Sequence, residues 1–523
     1  MKQFAGGLVR IGVLWATLQA IAVGATDDPY TWPAYQPNLN YHFAREHPEF
    51  QPPTKVLDDV TGVAGTVTSG WWCFRYGRNA NPLVTEAAWT PMLKRMNEEF
   101  AYFRDVMGWP PDKRAKNGYY STIYLFGSGL STDKADNTAK GGWMGSVHYQ
   151  GEHWPMVLVS YYPVYSFDPK CDYRDKEYQM GGVVHEGVHA ILADLPGCKK
   201  AGWFHEGGNN WLTTVANAQR TGNYSSLGWL SAGAMLAPFM PIECYSGWLQ
   251  DGSFGGPSAE GVNRHENGKQ LCTWRKLLGG TQYGECFPVF LGEVVSPGSV
   301  AWVWQNCTGR VLEGLATAPG GLGAEQTRRL IAEFRGRQAL CDFGRWSAAY
   351  RALLERNWGM TVGAEYDPVW IKCEPWTATC YAATAYDAAS RTLTPEKRTL
   401  PGWSGANQIP LKVSNAERIS VEFQPMGANM RCQLAYRATD GSAVYSNPVA
   451  RGECRLRMPK PAQDNVVIAV ICNTDYVYEG EETRKKKHNY RLRLGEGISG
   501  TADIHGKWWK PARPAPDRSQ RPG

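Results

Sequence analysis

The chain has 523 residues, of which 43% are hydrophobic and 20% are charged, and its formal net charge is +6. A length of this order predicts several domains, and the 57 Gly and 33 Pro are close to ordinary usage, which excludes a collagen-like or wholly disordered chain. The small net charge and the lack of a dominant basic block argue against a nucleic-acid partner.

The first 25 residues have the pattern of a signal peptide. Lys2 and Arg10 are the only charged residues of this segment, an apolar run follows, and Gly24-Ala25 supplies the small residues that signal peptidase requires. The apolar run is too short to span a bilayer comfortably, and an uncleaved membrane anchor is the alternative. We therefore expect a secreted protein, extracellular or periplasmic, without a membrane span in the mature chain.

All 13 cysteines lie beyond this segment, and none forms a Cys-x-x-Cys pair. This spacing excludes a zinc ribbon or a thioredoxin-type motif. In an oxidising compartment the cysteines are expected to pair as disulfides, and their odd number leaves at least one free or linked to another chain. Cys373 and Cys380 enclose the most local candidate loop, and the sequence leaves the connectivity open.

Residues 26–70 are rich in proline and aromatic residues, and we expect an irregular segment that wraps a surface. Residues 71–224 then predict a strand, a helix, three strands and two helices, which is the order of an α+β domain. The predicted strands are Trp71–Tyr76, Ser121–Phe126, Gly142–Val147 and Met156–Tyr161. The predicted helices are one with apolar positions stepping by three and four from Leu93 to Met107, one at about 177–194 and one at about 203–220.

The pattern of predicted secondary structure changes in the second half of the chain. Residues 225–360 predict a mainly helical subdomain, and 361–400 a connector with Cys and Pro. The clearest helices of this subdomain are expected at about 299–316, 325–336 and 343–357. From 401 to 507, short alternating runs separated by turn residues predict an all-β sandwich domain. Residues 508–523 are rich in Pro and Arg and are expected to be disordered.

One motif carries the residue types of metal chemistry. His185, Glu186 and His189 form a His-Glu-x-x-His pattern within the predicted helix 177–194. Residues four apart project from one face of a helix, so both imidazoles can reach one zinc ion. Glu186 is then placed to take a proton from a water on that zinc. A pair of core histidines and a structural metal site are the alternatives.

A catalytic zinc site needs a third protein ligand and an open position. Glu206 begins the next predicted helix, shortly after His189, and can reach back to the same metal. His205 is the rival ligand, and we favour Glu206 because two His and one Glu are a recurrent catalytic zinc set. Asn210 lies four residues beyond Glu206, on the same helix face, where it can hold a ligand in place.

The motif His185–His189, followed by the segment Trp203–Glu206, resembles the gluzincin clan of zinc metallopeptidases, which includes thermolysin. The resemblance covers about 30 residues. It implies a zincin-like α+β catalytic domain with a helical C-terminal subdomain, zinc bound by His185, His189 and Glu206, and Glu186 as general base. The Gly-Ala-Met-Glu-Asn motif of the clan's aminopeptidases is not found, so the resemblance does not imply aminopeptidase activity.

The segment from Glu206 to Asn210 also resembles enhancin-type peptidases, which cut mucin-like glycoproteins. In the gluzincin clan an edge strand beside the metal pairs with the substrate peptide. Gly142, Trp143 and Met144 are the best candidates for that strand, since glycine lets a ligand backbone come close. An ordinary buried strand followed by a turn is the alternative.

Members of the clan usually also have a downstream Tyr or His that donates to the transition-state oxyanion. Tyr245 lies in a loop too unusual for a plain linker, and it is the preferred catalytic candidate. Tyr224, His265 and Tyr283 are the other candidates. A core tyrosine is the alternative interpretation of Tyr245.

These patterns together predict a secreted zinc-dependent endopeptidase acting on proteins or glycoproteins, with a glycan contact as the further expectation for its C-terminal domain. Two alternatives stay open. The first is a non-catalytic extracellular or glycan-binding protein with a structural zinc site. The second is a zinc amidase acting on cell-wall material. The intact Glu186 favours hydrolysis over the first alternative, because a structural site has no need of a base.

Overall fold

The computed structural model describes a mixed α/β region with helices, followed in the C-terminal part by two antiparallel five-stranded sheets, an arrangement consistent with a β-sandwich. The described residues are 27–32, 35, 39–43, 50–133, 141–225, 227, 235, 238–239, 241–243, 265–266, 269–270, 284–353, 384–395, 400–414, 416–480 and 486–502. The expected signal peptide, the loop Cys373–Cys380 and the tail 508–523 lie outside them.

The first sheet has five strands in the order β1-β2-β3-β5-β4. Its strands are β1 Val63–Ser69, β2 Trp72–Gly77, β3 Ser121–Leu125, β4 Gly142–Tyr149 and β5 Glu152–Val159. β2, β3 and β5 run parallel, whereas the edge strands β1 and β4 run antiparallel to their neighbours. The strand expected at Met156–Tyr161 is β5, which begins earlier because its first residues pair with β4. It also ends earlier, because Tyr161 starts a helix.

Five described helices lie between and after the strands of this sheet. They are α1 Glu86–Ala101, continued by a π-helical turn Tyr102–Val106, then α2 Lys113–Lys116, α3 Tyr161–Tyr165, α4 Lys176–Asp194 and α5 Gly202–Thr221. α4 buries Val184, Val188 and Ile191 against a core that includes Ile123 and Val157 of the sheet. Burial of each such aliphatic side chain contributes about 1.5–3 kcal/mol to stability. This burial holds the apolar face of α4 against the sheet and leaves the opposite face for other side chains.

The described residues 284–353 that follow are mainly helical. It contains α6 Cys286–Phe290 with its π-helical continuation Leu291–Val295, α7 Ser299–Asn306, α8 Val311–Thr317, α9 Gly323–Leu340, a 3-10 turn Gly344–Trp346 and helical residues 347–353. The single helix expected at 299–316 is wrong. The chain breaks between α7 and α8, where Arg310 takes an extended conformation with ψ of 157°.

Among the described residues, no single helix is both long enough and apolar enough to cross a membrane. The segments Cys286–Val295 and Ser299–Asn306 reach that length and apolarity only together, and the chain bends by 115° between them. The buried residues of α6 and α7 belong to the main hydrophobic core.

The C-terminal sheets have the orders β13-β12-β15-β10-β17 and β14-β11-β16-β9-β8. The strands are β8 Thr384–Asp387, β9 Thr392–Pro395, β10 Ala406–Val413, β11 Arg418–Pro425, β12 Met430–Arg437, β13 Ala443–Tyr445, β14 Gly452–Arg457, β15 Val466–Asn473, β16 Tyr490–Leu494 and β17 Ile498–Thr501. A separate hairpin, β6 His265–Glu266 and β7 Lys269–Gln270, lies earlier in the chain. Short strands within 401–507 are confirmed; β13 and β17 are additional strands there, and β8 and β9 come from the expected connector.

The sandwich is not isolated from the rest of the molecule. One face of β10, β12 and β15 packs with the second sheet, while Ile468 and Val470 of the opposite face belong to the same core as Leu330 and Phe334 of α9. The sheet nearest α9 is therefore buried on both faces, which explains why all eight residues of β15 are buried.

The N-terminal residues connect these regions. The Tyr30 amide donates to the Tyr445 carbonyl oxygen at 2.7 Å, and the Tyr41 amide donates to the Gly298 carbonyl oxygen at 3.2 Å. The expectation that 26–70 is irregular throughout is wrong at its end, because β1 pairs with β2 there. Alternating exposure along β1 reflects its position at the edge of the sheet.

Candidate metal centre

Two consecutive helices bring together the three candidate ligands. His185 and His189 lie one turn apart on α4, and Glu206 lies in the first part of α5. One ligand atom from each residue lies within 4.8 Å of the other two. The group can therefore hold a metal ion, and the expectation of a shared site formed by His185, His189 and Glu206 is confirmed at that level.

The distances show how closely the donor atoms converge. The Oε2 atom of Glu206 lies 3.0 Å from Nε2 of His185 and 3.4 Å from Nε2 of His189. The two imidazole rings are perpendicular, with centroids 4.6 Å apart. Two imidazole nitrogens and one carboxylate oxygen that face a common point are a donor set that suits a divalent transition-metal ion.

Asn209 and Asn210 hold His185 from α5. The Nδ1 atom of His185 lies 3.1 Å from Oδ1 of Asn210. An amide oxygen only accepts, so Nδ1 donates in this contact, and Nε2 faces Glu206 and His189. Asn209 is fully buried, and its Nδ2 donates to the His185 carbonyl oxygen at 2.8 Å. Asn210 therefore occupies the position that its spacing predicts, and Asn209 adds a tie between the helices.

Electrostatics separate the two glutamates. Burial raises the pKa of Glu206, but hydrogen bonds from His185 and His189 outweigh it and lower the pKa to about 2. Burial also raises the pKa of Glu186, and there it prevails over the opposing effects of the two histidines and of the Met144 backbone N–H. Glu206 is thus held as an anion beside the imidazoles, whereas Glu186 binds protons more readily than an ordinary glutamate.

His205, the rival ligand, is not part of the three-residue group. Its ring meets Trp304 edge to face with centroids 4.8 Å apart, and it lines the cleft described below. Burial, together with the nearby His189 and Lys199, lowers the pKa of His205 to about 4. The structure therefore makes His205 a neutral wall residue next to the site.

The edge strand β4 runs beside these residues. An added Cβ at Gly142 would lie 3.3 Å from Cγ of Glu186, so the absence of a side chain lets the strand and α4 approach each other. The Ser160 amide donates to the Gly141 carbonyl oxygen at 2.9 Å, so the alternate residues Gly142 and Met144 direct their backbone groups away from β5. Trp143 also lines the cleft with Gly142 and Met144, but its ring packs elsewhere. Its ring packs on Phe126 at 5.0 Å, in the cluster on the opposite face of the sheet.

The group opens into a cleft of about 1030 Å³. Its walls come from β4, α1, α4 and α5, and the far end carries Arg95, Glu99 and Arg220. Arg220 pairs with Glu99 at 2.5 Å, and Arg95 lies 3.8 Å from Glu99. Tyr178, which is 72% exposed, also lines the cleft. The sequence patterns did not indicate these residues, because isolated charges on separate helices carry no motif.

The candidate oxyanion donors lie elsewhere or outside the described residues. Tyr245 and Tyr283 are outside them, and only the backbone of His265 is described, in β6. Tyr224 is described, and it accepts a hydrogen bond from Nη1 of Arg345 at 2.7 Å while its ring meets Trp346. Tyr224 does not belong to the described residues that line the cleft.

Comparison with protein-family models, with curated proteins and with solved structures finds no match for this chain. The function is therefore inferred from the geometry of the site.

Proposed function

We propose that this chain is a secreted zinc-dependent endopeptidase that hydrolyses peptide bonds in proteins or glycoproteins. One observation carries the proposal: the donor atoms of His185, His189 and Glu206 lie within 4.8 Å of one another on the wall of an open cleft. Structural zinc sites are closed by four protein ligands, whereas catalytic sites keep one position for water or substrate. Three protein donors facing a cleft support the catalytic interpretation.

The donor chemistry fits zinc, which His185, His189 and Glu206 would hold. A bound Zn²⁺ supplies Lewis acidity, which lowers the pKa of a water and polarises a carbonyl group. The contact between Nδ1 of His185 and Asn210 fixes the ring orientation and tautomer before any metal arrives. The tie from Asn209 to the His185 carbonyl keeps α4 and α5 at the required separation.

Glu186 serves as the general base in this proposal. Its carboxylate takes a proton from the attacking water and returns it to the leaving amine. Burial raises the pKa of Glu186, and a base whose pKa lies nearer the working pH can both accept and release the proton. The Glu186 side chain lies against the edge strand, since an added Cβ at Gly142 would be 3.3 Å from its Cγ.

The edge strand β4 suits a peptide substrate. β4 ends the strand order of its sheet, so its outer edge has no strand partner among the described residues. Gly142 and Met144 occupy alternate positions, and their backbone groups therefore point toward the same side, away from β5. An extended substrate can add to this edge by main-chain hydrogen bonds, which favours a peptide over a cell-wall amide.

This arrangement supports a zincin-like catalytic domain with a helical C-terminal subdomain. It combines a mixed sheet, an antiparallel edge strand and two helices that carry the ligands. The described residues of the C-terminal sheets contain no comparable ligand group. We assign these sheets an accessory role in contacting substrate, including its glycans.

A digest tests the proposal. Purified protein is incubated with a protein mixture, a mucin-like glycoprotein and cell-wall material, each with and without a chelator. We expect new internal cleavage of the proteins or the glycoprotein that the chelator abolishes and added Zn²⁺ restores. Release of cell-wall fragments alone would favour the amidase, and zinc binding without any cleavage would favour the binding protein.

A further inference from the structure

The loop that joins the two metal-bearing helices is fixed to the helical region. The Gly197 amide donates to the Trp304 carbonyl oxygen at 2.8 Å, and the Cys198 amide donates to the Cys307 carbonyl oxygen at 2.7 Å. Trp304 belongs to α7, and Cys307 directly follows this helix. The separation of His189 from Glu206 therefore depends on how this loop is held.

Cys198 and Cys307 are neighbours in this contact. The backbone hydrogen bond of 2.7 Å places the two residues side by side in space. Disulfide-linked cysteines are also close neighbours, with α-carbons about 4.4–6.8 Å apart. Both side chains are fully buried, and both are free thiols in this structure. Cys198 has a φ of 60°, a conformation that a non-glycine residue adopts only when its surroundings impose it.

Neighbouring groups accommodate the Cys307 sulfur and set the electrostatics of both thiols. An added Cβ at Gly314 would lie 2.6 Å from Sγ of Cys307, so glycine keeps space for this sulfur. Burial raises the pKa of the Cys198 thiol, and the neighbouring Cys307 and Glu243 raise it further. Glu243 is already engaged, since its Oε1 accepts the Leu312 amide at 2.7 Å. A disulfide removes both titratable thiols from this buried acidic environment.

We propose that Cys198 and Cys307 form a disulfide bond that fixes the loop between the metal-bearing helices. The oxidant is a disulfide such as oxidised glutathione. One cysteine thiolate attacks the glutathione disulfide and releases one glutathione thiolate. The second cysteine thiolate then attacks the mixed disulfide and releases the other. Two protein thiols are oxidised and one glutathione disulfide is reduced. The bond closes a loop of roughly 100 residues, for which chain-entropy arguments expect a large stabilisation.

Peptide mapping tests the proposal without metal or peptidase activity, so its outcome is independent of the proposed function. The protein is refolded in a glutathione buffer, denatured with N-ethylmaleimide in the absence of reductant, and digested. We expect a peptide containing Cys198 linked to one containing Cys307. Both cysteines carrying maleimide would overturn the proposal.

Counting thiols in variants gives a second readout. Cys198→Ser should free Cys307, so the number of maleimide-reactive thiols rises by one relative to the wild type. Cys73→Ser is the matched control, because Cys73 is equally buried but lies beside Thr122 and Arg75. This control should lower the count by one. A fall of one in Cys198→Ser would contradict the disulfide, and the wild-type map decides if that variant does not fold.

A second pair carries the same inference from a different observation. Cys432 in β12 and Cys454 in β14 belong to different C-terminal sheets, and both are fully buried. Both are free thiols in this structure, and Sγ of Cys454 lies 3.7 Å from the Cys432 carbonyl oxygen and 3.1 Å from Oγ of Ser446. We infer that these cysteines form a disulfide between the sheets. The same map should show them linked, and maleimide on both would overturn this assignment.

Discussion

The edge strand β4 and the strand β15 show how differently the two parts of the molecule use a β-sheet. All eight residues of β15, with the sequence Val-Val-Ile-Ala-Val-Ile-Cys-Asn, are buried. None of the eight residues of β4, with the sequence Gly-Trp-Met-Gly-Ser-Val-His-Tyr, is fully buried. β15 pairs on both sides, whereas β4 ends its sheet beside the cleft.

The difference teaches where chemistry can be placed in this chain. A strand that is covered on both faces and paired at both edges contributes apolar burial, at about 25 cal/mol per Å². A strand with an open edge gives up part of that stability and leaves backbone groups for a ligand. Within the described residues, the one group able to hold a metal lies beside β4.

The largest expected effect follows from removing a ligand on this side of the molecule. His185→Ala and His189→Ala should each abolish stoichiometric zinc binding, because each removes one of three protein donors. Activity should fall by more than about 100-fold, the upper cost of losing only a supporting residue. Zinc analysis and turnover check this prediction. His153→Ala, at an exposed position on β5, should retain both zinc and activity.

The buried Glu243 side chain is expected to make the free energy of unfolding depend on pH. Burial raises its pKa from 4.5 to about 7, so its contribution to stability is complete below pH 4.5 and is lost as pH rises to about 7. The shift corresponds to about 3 kcal/mol at most. Glu243→Gln should remove this loss. Urea unfolding at pH 5 and pH 8 tests it, with Glu325→Gln as the exposed control on α9. An unchanged pH dependence in Glu243→Gln would contradict the assignment.

Two glycines of α4 should respond in opposite directions. An added Cβ at Gly187 would lie 2.6 Å from the Phe100 ring and 2.8 Å from the Met96 methyl group. Gly187→Ala should therefore cost about 1–3 kcal/mol by overpacking. At Gly181 nothing lies within 4 Å, so Gly181→Ala should gain about 0.5–1 kcal/mol of helix propensity. Thermal unfolding distinguishes them, and equal shifts would mean that α1 and α4 do not meet as described.

The smallest effect is expected in the sandwich. Glu422 pairs with Arg493 across β11 and β16, where their side chains are 36% and 61% exposed. Exposed ion pairs contribute less than about 1 kcal/mol. Glu422→Gln should therefore change the free energy of unfolding by less than this amount and leave turnover on small peptides unchanged. A large loss of turnover would show that the sandwich takes part in the chemistry.

The metal centre could be predicted because its pattern is local. His185 and His189 share a helix face by spacing alone, and Glu206 and Asn210 repeat that logic on the next helix. Asn209 was missed because its contact is with the His185 backbone, which no side-chain pattern marks. The direction of Trp143 was also missed, since both faces of a half-buried edge strand carry apolar residues.

Longer-range features were harder to predict from the sequence. β1 was missed because Gly65 and two threonines give it weak apolar alternation at a sheet edge. β8 and β9 are four residues each, and β9 is recognisable only once it pairs with β16. The packing of α9 on β12 and β15 joins segments about a hundred residues apart, so no local window contains both partners.

The measurement that tests the central claim most directly compares Glu186→Gln with Glu206→Gln on the same preparations. Glu206 is proposed to bind zinc, so its replacement should lower zinc affinity and, through it, activity. Glu186 is proposed to act on the water alone, so Glu186→Gln should keep zinc while turnover falls about 10²- to 10⁴-fold. Glu98→Gln, exposed on α1, serves as the control. Equal zinc loss in both variants would contradict the division of roles, and an active Glu186→Gln protein would contradict the peptidase mechanism.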